Sequence, residues 1–217
     1  MASRLVMDSL AELAPTLGGI ASAPDLHEEE RATDRLTTMA EQAHASILTH
    51  AAQHPPLYGM GTTLVMAHLL PLPKPRLLVL NVGDSRAYLV RAGTLTQLTR
   101  DHTLIEEYVR EGRLTPAQAA RHPNRHVLTR AMGLAPHLES DLFFFDLLDG
   151  DLLLLCSDGL TKMLTDERIL QTVRPHRHIP SLATQALIHT ALDVGGIDNV
   201  TVVACTITEI PDQANIH

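Results

Sequence analysis

The chain contains no tryptophan, and tyrosine, phenylalanine and cysteine are scarce. Its 217 residues are enough to bury a core, so that core is predicted to be built mainly from leucine, valine and alanine. The two cysteines, Cys156 and Cys205, lie inside apolar strand patterns and lack the spacing of a zinc site. Buried reduced thiols in a cytosolic protein are therefore the favoured interpretation.

Long apolar runs and excess positive charge are also absent. No apolar stretch approaches the length of a membrane-spanning helix, and residues 1–5 lack the charged start and apolar stretch of a signal peptide. The formal net charge of −8 argues against non-specific nucleic-acid binding, which needs a basic surface. We therefore expect a cytoplasmic protein with neither a membrane nor a nucleic acid as its partner.

Several catalytic motifs are missing. The sequence has no GxxxxGK[ST] or GxGxxG loop for nucleotide phosphates, and its glycine-rich segment 59–63 lacks the lysine of such a loop. It has no GxSxG elbow of a serine hydrolase. Neither cysteine is followed by the glycines and arginine of a cysteine-dependent phosphatase loop. These absences exclude three common routes to phosphate or ester chemistry.

The hydrophobic pattern predicts helices and short strands in separate groups. Helices are predicted over 3–13, 26–52, 104–111, from 115 onward, 166–173 and 181–194, with a loop over 16–24. Strands are predicted over 62–70, 76–82, 86–91, 94–98, 141–147, 151–156 and 199–207, the last of them buried. Because the turns at Gly83-Asp84 and Ala92-Gly93 are short, strands 76–82, 86–91 and 94–98 are predicted to be antiparallel neighbours. This grouping favours an α+β fold.

Three aspartates lie at glycine-marked turns beside apolar strands. They are Asp84 in Gly83-Asp84-Ser85-Arg86, Asp158 in Ser157-Asp158-Gly159-Leu160, and Asp198 in Gly195-Gly196-Ile197-Asp198-Asn199. A set of carboxylates with only oxygen donors suits a hard cation such as Mg²⁺ or Mn²⁺. Each aspartate also has a structural alternative, as a turn former or a cap. Packing alone explains poorly an aspartate at the end of a leucine-rich strand, so the metal role is favoured for Asp158, and it is also favoured for Asp198. Asp84 taken alone is better explained as a turn former, and beside the other motifs its two roles are evenly balanced.

Other polar residues receive structural interpretations. For Arg86 an ion pair with a nearby carboxylate is favoured over the alternative of phosphate binding. Arg100, Asp101 and His102 are predicted to cap the helix that follows. Arg125, Arg130, His122 and His126 are predicted to be surface residues, although either arginine has the charge to meet an acidic substrate.

Six segments, in this order, resemble the metal-dependent serine/threonine protein phosphatases (PPM family, type 2C), and their short insertions resemble the bacterial branch. The segments are Gly59-Met60-Gly61-Thr62-Thr63, Val82-Gly83-Asp84-Ser85-Arg86-Ala87-Tyr88, Leu98-Thr99-Arg100-Asp101-His102, Val127-Leu128-Thr129-Arg130-Ala131-Met132-Gly133, Leu155-Cys156-Ser157-Asp158-Gly159-Leu160 and Asp198-Asn199-Val200-Thr201. Each is weak alone, but the whole series in the family's order is a specific signal.

The resemblance implies one phosphatase-like domain over 1–217, an antiparallel β-sandwich flanked by helices in four layers (αββα), with a helical flap at about 99–126. It implies that Asp158 and Asp198 each bind one ion of a two-metal Mn²⁺ or Mg²⁺ centre, and that Asp84 contributes to an additional metal position. Phosphoserine and phosphothreonine in proteins would be hydrolysed directly by metal-bound water, with no catalytic side chain beyond the metal ligands. Phosphoproteins are the implied substrates, with a cognate Ser/Thr kinase as a further partner; substrate-binding residues stay unassigned.

One part of the family pattern is not found in the sequence. The family's first strand with its arginine, and the Asp-Gly-Met-Gly-Gly motif that bridges both ions, have no counterpart, since Tyr58 precedes Gly59-Met60-Gly61. We therefore expect the domain to be N-terminally incomplete, with weak metal binding and an exposed sheet edge. Two hypotheses follow. Either Met1 is an internal methionine of a longer active enzyme, which the intact aspartates favour, or the chain is a catalytically inactive phosphatase-like binding or regulatory module.

Overall fold

The structure is a computed structural model that describes residues 1–13, 27–70 and 74–208. Within these ranges the α-helices are α1 (Ala2–Leu13), α2 (Glu28–Gln53), α3 (Leu104–Arg110), α4 (Pro116–Ala119), α5 (Asp158–Thr161), α6 (Asp166–Val173) and α7 (Pro180–Asp193). The strands are β1 (Leu64–Leu70), β2 (Arg76–Val82), β3 (Arg86–Arg91), β4 (Thr94–Gln97), β5 (Asp141–Asp146), β6 (Leu152–Cys156) and β7 (Val202–Thr206). In these described ranges no helix is long and apolar enough to cross a membrane. The loop predicted over 16–24 lies outside them.

The strands form two antiparallel sheets. One has the order β1-β2-β5 and the other the order β4-β3-β6-β7. Between the sheets lies an aliphatic layer that includes Leu77 and Val79 of β2, Ala87 of β3 and Leu153 of β6. The predicted α+β sandwich with an aliphatic core is confirmed.

Helices cover the outer face of each sheet, which gives four layers. Because side chains alternate along a strand, Leu78 and Leu80 of β2 point away from the other sheet and pack against residues of α2 such as Leu36 and Ile47. On the opposite side, Leu152 and Leu154 of β6 lie in one cluster with residues of α6 and α7, among them Ile169, Val173, Ala183 and Leu187. Since both faces of β6 are buried, this strand is apolar at every position.

The pairing predicted for strands 76–82 and 86–91 is wrong. β3 pairs with β4 and β6, whereas β2 pairs with β1 and β5, so the chain crosses from one sheet to the other between β2 and β3. Gly83 makes this crossing with φ of +104°, a conformation that other residues rarely adopt. A Cβ at this position would also clash with Thr63. A short glycine turn therefore connects the two layers here and does not close a hairpin.

The final strand is shorter and more exposed than predicted. β7 spans Val202–Thr206 and pairs only with β6 in the described part of the chain, so it lies at the edge of its sheet. Val203 is 55% exposed as a result. An edge strand has a neighbour on one side only, which explains why a nearly continuous apolar run is not buried here.

Two short helices, α3 and α4, project between β4 and β5. Thr103 begins α3, and its hydroxyl accepts a hydrogen bond from the Glu106 N–H. Thr115 begins α4 with a capping box, in which the side chains of Thr115 and Gln118 each bond the other's backbone N–H. The helical signals at 104 and 115 are confirmed, with Thr103 and not residues 100–102 as the cap of the first helix.

Candidate active site

Strand pairing gathers the three aspartates at one end of the four-stranded sheet. Asp84 precedes β3, Asp158 follows β6, and Asp198 precedes β7. β3 and β7 both run antiparallel to β6, with Cys156 opposite Arg86 on one side and Val202 on the other. The start of β3, the end of β6 and the start of β7 therefore meet. The fold thus brings together three residues of which the first and the last lie 114 positions apart in the sequence.

Lys162 lies between two of these carboxylates. Its Nζ is 2.5 Å from Asp158 Oδ2 and 2.9 Å from Asp198 Oδ2. Asp158 and Lys162 are four residues apart at the α5 turn, which places them on the same side of it. Burial opposes the charge on Lys162, but its hydrogen bonds to both carboxylates prevail and raise its pKa. The bond to Lys162, with that from the Asn199 N–H, lowers the pKa of Asp198.

Unlike Asp158 and Asp198, Asp84 does not contact the ammonium of Lys162. Burial, together with the charges of Asp158 and Asp101, raises the pKa of Asp84 to about 6. A hydrogen bond from its own backbone N–H and the charge of Lys162 act in the opposite direction but do not prevail. A half-buried carboxylate that resists ionisation is a position where a bound cation would be stabilised.

Arg86 and Asp101 form the predicted ion pair beside this cluster. Arg86 donates from Nη2 to Asp101 Oδ2 at 2.6 Å and from Nε to Oδ1 at 2.8 Å. Arg86 also donates to the Tyr88 hydroxyl, which donates to Asp166 at 2.9 Å. The pair fixes the segment before α3 against β3, so the structural role predicted for Arg86 is confirmed.

His102 is a buried residue that joins three segments near Asp84. Its Nδ1 accepts a hydrogen bond from the Gly83 N–H at 3.1 Å, and its Nε2 lies 3.2 Å from Asp141 Oδ2. Because Nδ1 accepts, Nε2 carries the proton and donates to Asp141. The backbone of His102 also bonds Gly83 O and Thr129 N–H. His102 thus holds the sheet crossing in place, whereas its sequence context predicted only a helix cap.

A groove of about 610 Å³ adjoins the aspartates. Its walls include Asp84, Asp158 and Lys162 on the sheet side. Ile105 and Glu106 of α3 and Ala119 of α4 lie on the helical side, together with Arg125 and His126. Both Arg125 and His126 are exposed, as predicted, but they line this groove. Burial and the charges of Arg125 and Lys162 lower the pKa of His126. The groove therefore has acidic and basic groups facing one space.

The donor chemistry of the cluster fits a hard divalent cation, although the aspartates are not preassembled around a metal. Among the described residues, no group of three or more histidine, cysteine or acidic side chains is arranged to hold an ion. An ammonium instead bridges Asp158 and Asp198. Asp158 and Asp198 thus already hold one cation through oxygen atoms, which are the donors that Mg²⁺ and Mn²⁺ prefer.

Comparison with known proteins identifies the family. The model of the protein phosphatase 2C family matches residues 2–192. The chain belongs to this family. Family members use Mn²⁺ or Mg²⁺, and the resemblance inferred from the six motifs is confirmed.

Bacterial phosphatases of this family match most of the chain. The serine/threonine protein phosphatase PstP of Mycobacterium tuberculosis is 40% identical over 195 residues, which are 88% of this chain and 36% of PstP. The serine/threonine phosphatase Stp of Listeria monocytogenes is 35% identical over 202 residues, which are 93% of this chain and 75% of Stp. The chain thus spans about a third of the length of PstP and three quarters of that of Stp.

A solved structure shares the fold of this chain. The catalytic domain of PstP in complex with two manganese ions matches with a TM-score of 0.75 and 35% sequence identity. The match covers 96% of this chain and 81% of that domain. This similarity confirms the predicted four-layer fold of the phosphatase 2C family.

The raised pKa of Asp84 predicts a pH-dependent effect of Asp84→Asn in the absence of divalent ions. The folded chain holds the proton of Asp84 more tightly than the unfolded chain does, so its contribution to stability falls as pH rises from about 4 to about 6. Asparagine has no carboxyl group to titrate, so the variant does not lose stability in this way as pH rises. Relative to wild type, the variant should gain about 1–2 kcal/mol in the free energy of unfolding between pH 4 and pH 7.5. Urea unfolding of both proteins in the presence of a chelator measures this gain. A difference in the free energy of unfolding that does not change with pH would contradict the raised pKa of Asp84.

Proposed function

We propose that this chain hydrolyses phosphoserine and phosphothreonine in proteins with Mn²⁺ or Mg²⁺ as its cofactor. The observation that carries the proposal is the convergence of Asp84, Asp158 and Asp198 at one end of the sheet beside the groove, where Asp158 and Asp198 already share one cationic group. Family membership supplies the reaction class. The relatives named above are serine/threonine phosphatases, and the activity is extended from them to this chain as part of the proposal.

Asp158 and Asp198 would each hold one ion of a two-metal centre, and Asp84 would contribute to an additional position. When bound, the ions would supply an acidified water and would neutralise charge on the phosphoryl group. The chain's own contribution is to fix these carboxylates. Strand pairing fixes their spacing, and His102 holds the Gly83 corner from which Asp84 extends.

The basic wall of the groove would receive the phosphate. Arg125 and His126 line the same groove as Asp158. A phosphate between Arg125 and the ions would meet positive charge on both sides, and the neutral His126 ring would offer it a hydrogen bond. These residues precede β5 in the segment that contains α3 and α4, which we propose acts as the flap over 99–126 of the single phosphatase domain. A groove of about 610 Å³ has room for a phosphorylated side chain and its neighbours.

Direct attack by water, without a covalent intermediate, is consistent with the state of the cysteines. Cys156 is buried, and burial raises the pKa of its thiol to about 12, so the reactive thiolate is scarce at neutral pH. Its position within β6 also keeps it inside the helix–sheet core. Phosphoproteins are the proposed substrates, and a cognate Ser/Thr kinase is the proposed source of those phosphates.

The test is phosphate release from matched phosphothreonine, phosphoserine and phosphotyrosine peptides. The purified 217-residue chain should release phosphate from the first two when Mn²⁺ is added, and the release should stop with excess chelator. Release that persists in chelator, or that is confined to the phosphotyrosine peptide, would contradict the proposal. Adding Mn²⁺ back to the chelated sample should restore turnover, which separates loss of metal from loss of protein.

A phosphate-binding module without turnover is the second candidate. The observation that favours it is the pairing of Lys162 with Asp158 and Asp198, which occupies two of the three carboxylates. A soluble, folded chain that binds the phosphothreonine peptide but releases no phosphate at millimolar Mn²⁺ would support this candidate over the enzyme.

A further inference from the structure

We propose that Lys162 is a built-in counter-cation of the metal site, whose ammonium occupies the position between Asp158 and Asp198 and is displaced when a divalent ion binds. The inference rests on the proposed function, because it assigns a role to a residue inside the same site. It makes metal affinity depend on a lysine that is not itself a metal ligand.

Lys162 contacts the same two carboxylates that are proposed to hold the metal ions. Lys162 Nζ contacts Oδ2 of both aspartates, at 2.5 Å and 2.9 Å, so two carboxylates from separate loops converge on one cation. The Lys162 side chain is 22% exposed, whereas those of Asp158 and Asp198 are 34% and 46% exposed. The Lys162 side chain is thus less exposed than either of the two side chains that it contacts, as expected for a group held between its partners.

Charge also favours an exchange over simultaneous binding. Asp84, Asp158 and Asp198 supply three carboxylates, and Lys162 is the cation in direct contact with two of them. The nearby Arg86 is committed to Asp101. A divalent ion placed on Asp158 and Asp198 would face an ammonium within a few ångströms, and like charges at that separation repel strongly in a half-buried site. The metal must therefore break both Lys162 contacts.

Lys162 also has a route by which to leave. Its side chain lines the groove together with Thr161 and Thr165, and the groove volume of about 610 Å³ leaves room for the ammonium. A lysine has four rotatable side-chain bonds, so its ammonium can move into the groove without any change in α5. Displacement therefore needs no movement of the backbone.

The experiment compares Mg²⁺ binding to Lys162→Met, to Lys162→Arg and to a matched control. The sequence contains only two lysines, Lys74 and Lys162, so Lys74→Met, at an exposed position, is that control. Breaking two charge-assisted hydrogen bonds should weaken metal binding, so we expect Lys162→Met to bind Mg²⁺ about ten-fold more tightly than the wild type and Lys74→Met. Lys162→Arg keeps the charge and should stay within about two-fold of wild type. Calorimetric titration measures all four proteins.

A second readout follows the ammonium itself. In protein labelled with ¹³C- and ¹⁵N-lysine, two lysines give two sets of side-chain signals, and the set absent from Lys74→Met identifies Lys74. On addition of Mg²⁺, which is diamagnetic, the Lys162 signals should move to positions typical of a solvated lysine while those of Lys74 stay fixed. Unmoved Lys162 signals at saturating Mg²⁺ would overturn the inference.

The outcomes separate this inference from the proposed function. Tighter Mg²⁺ binding by Lys162→Met, in a chain that releases no phosphate, would support the counter-cation and count against the enzyme. Metal-dependent turnover together with equal Mg²⁺ affinity in Lys162→Met and Lys74→Met would support the proposed enzyme activity and overturn the role of Lys162 as counter-cation. Weaker binding by Lys162→Met would also overturn it, since Lys162 would then support the metal. Absence of Mg²⁺ binding in all four folded proteins would contradict both proposals.

Discussion

Asp158→Asn should lower Mn²⁺-dependent phosphate release by roughly 100-fold or more. Asp158 contacts Lys162, raises the pKa of Asp84 and is proposed to hold an ion, so one substitution removes a charge that acts on both neighbours and on the metal. Asparagine is nearly the same size as aspartate, but it provides one oxygen without a negative charge. The measurement is kcat on the phosphothreonine peptide at several Mn²⁺ concentrations.

The matched control is Asp34→Asn, at an exposed position on α2. It removes one carboxylate and changes the net charge equally, so it should keep turnover within about two-fold of wild type. Circular dichroism and urea unfolding of both variants would show that each is folded. If Asp158→Asn retained wild-type turnover, Asp158 would be a turn residue and the metal assignment would be wrong.

Gly159→Ala should lower the free energy of unfolding by about 3 kcal/mol and disturb the site at the same time. The Asn199 carbonyl carbon lies 2.9 Å from the position that a Cβ on Gly159 would take, and the carbonyl oxygen lies nearer still. Both neighbours are backbone atoms, so no side-chain rotation relieves the clash. The loop that carries Asp198 must move away from α5, which would separate Asp158 from Asp198.

Gly93→Ala, in the turn between β3 and β4, is the control for Gly159→Ala. Gly93 has φ of +80° and no atom within 4 Å of the position of a Cβ, so alanine there meets backbone strain without a clash. We expect a cost of about 1 kcal/mol and little change in turnover. Urea unfolding of both variants gives the comparison. Equal small losses would show that the contact between Gly159 and the Asn199 backbone is not a constraint on the site.

Local periodicity predicted the elements well, but it could not predict which sheet each strand joins. The bounds of β2, β3 and α6 were predicted correctly, because their apolar spacing and flanking glycine or threonine are local signals. The turn at Gly83 has the same length whether it closes a hairpin or crosses between layers. Only the pairing of β2 with β5 and of β3 with β6 decides between these two arrangements.

The site was predictable where its residues follow strand ends, and not where they act through distant partners. Asp84, Asp158 and Asp198 stand out because each interrupts an apolar pattern beside glycine. Lys162 carries one weak signal, its spacing of four from Asp158. Its contact with Asp198 joins residues 36 positions apart and depends on the pairing of β6 with β7. The role of His102 likewise depends on tertiary contacts with Gly83 and Asp141.

The central claim is that Asp84, Asp158 and Asp198 form a site for a divalent cation. Electron paramagnetic resonance of Mn²⁺ tests it most directly, because the signal of free Mn²⁺ diminishes as the ion binds. Titration of the metal-free chain should show saturable binding that is lost or at least ten-fold weaker in Asp158→Asn and Asp198→Asn, and unchanged in Asp34→Asn. Equal binding by wild type and all three variants would place the metal elsewhere and contradict the account.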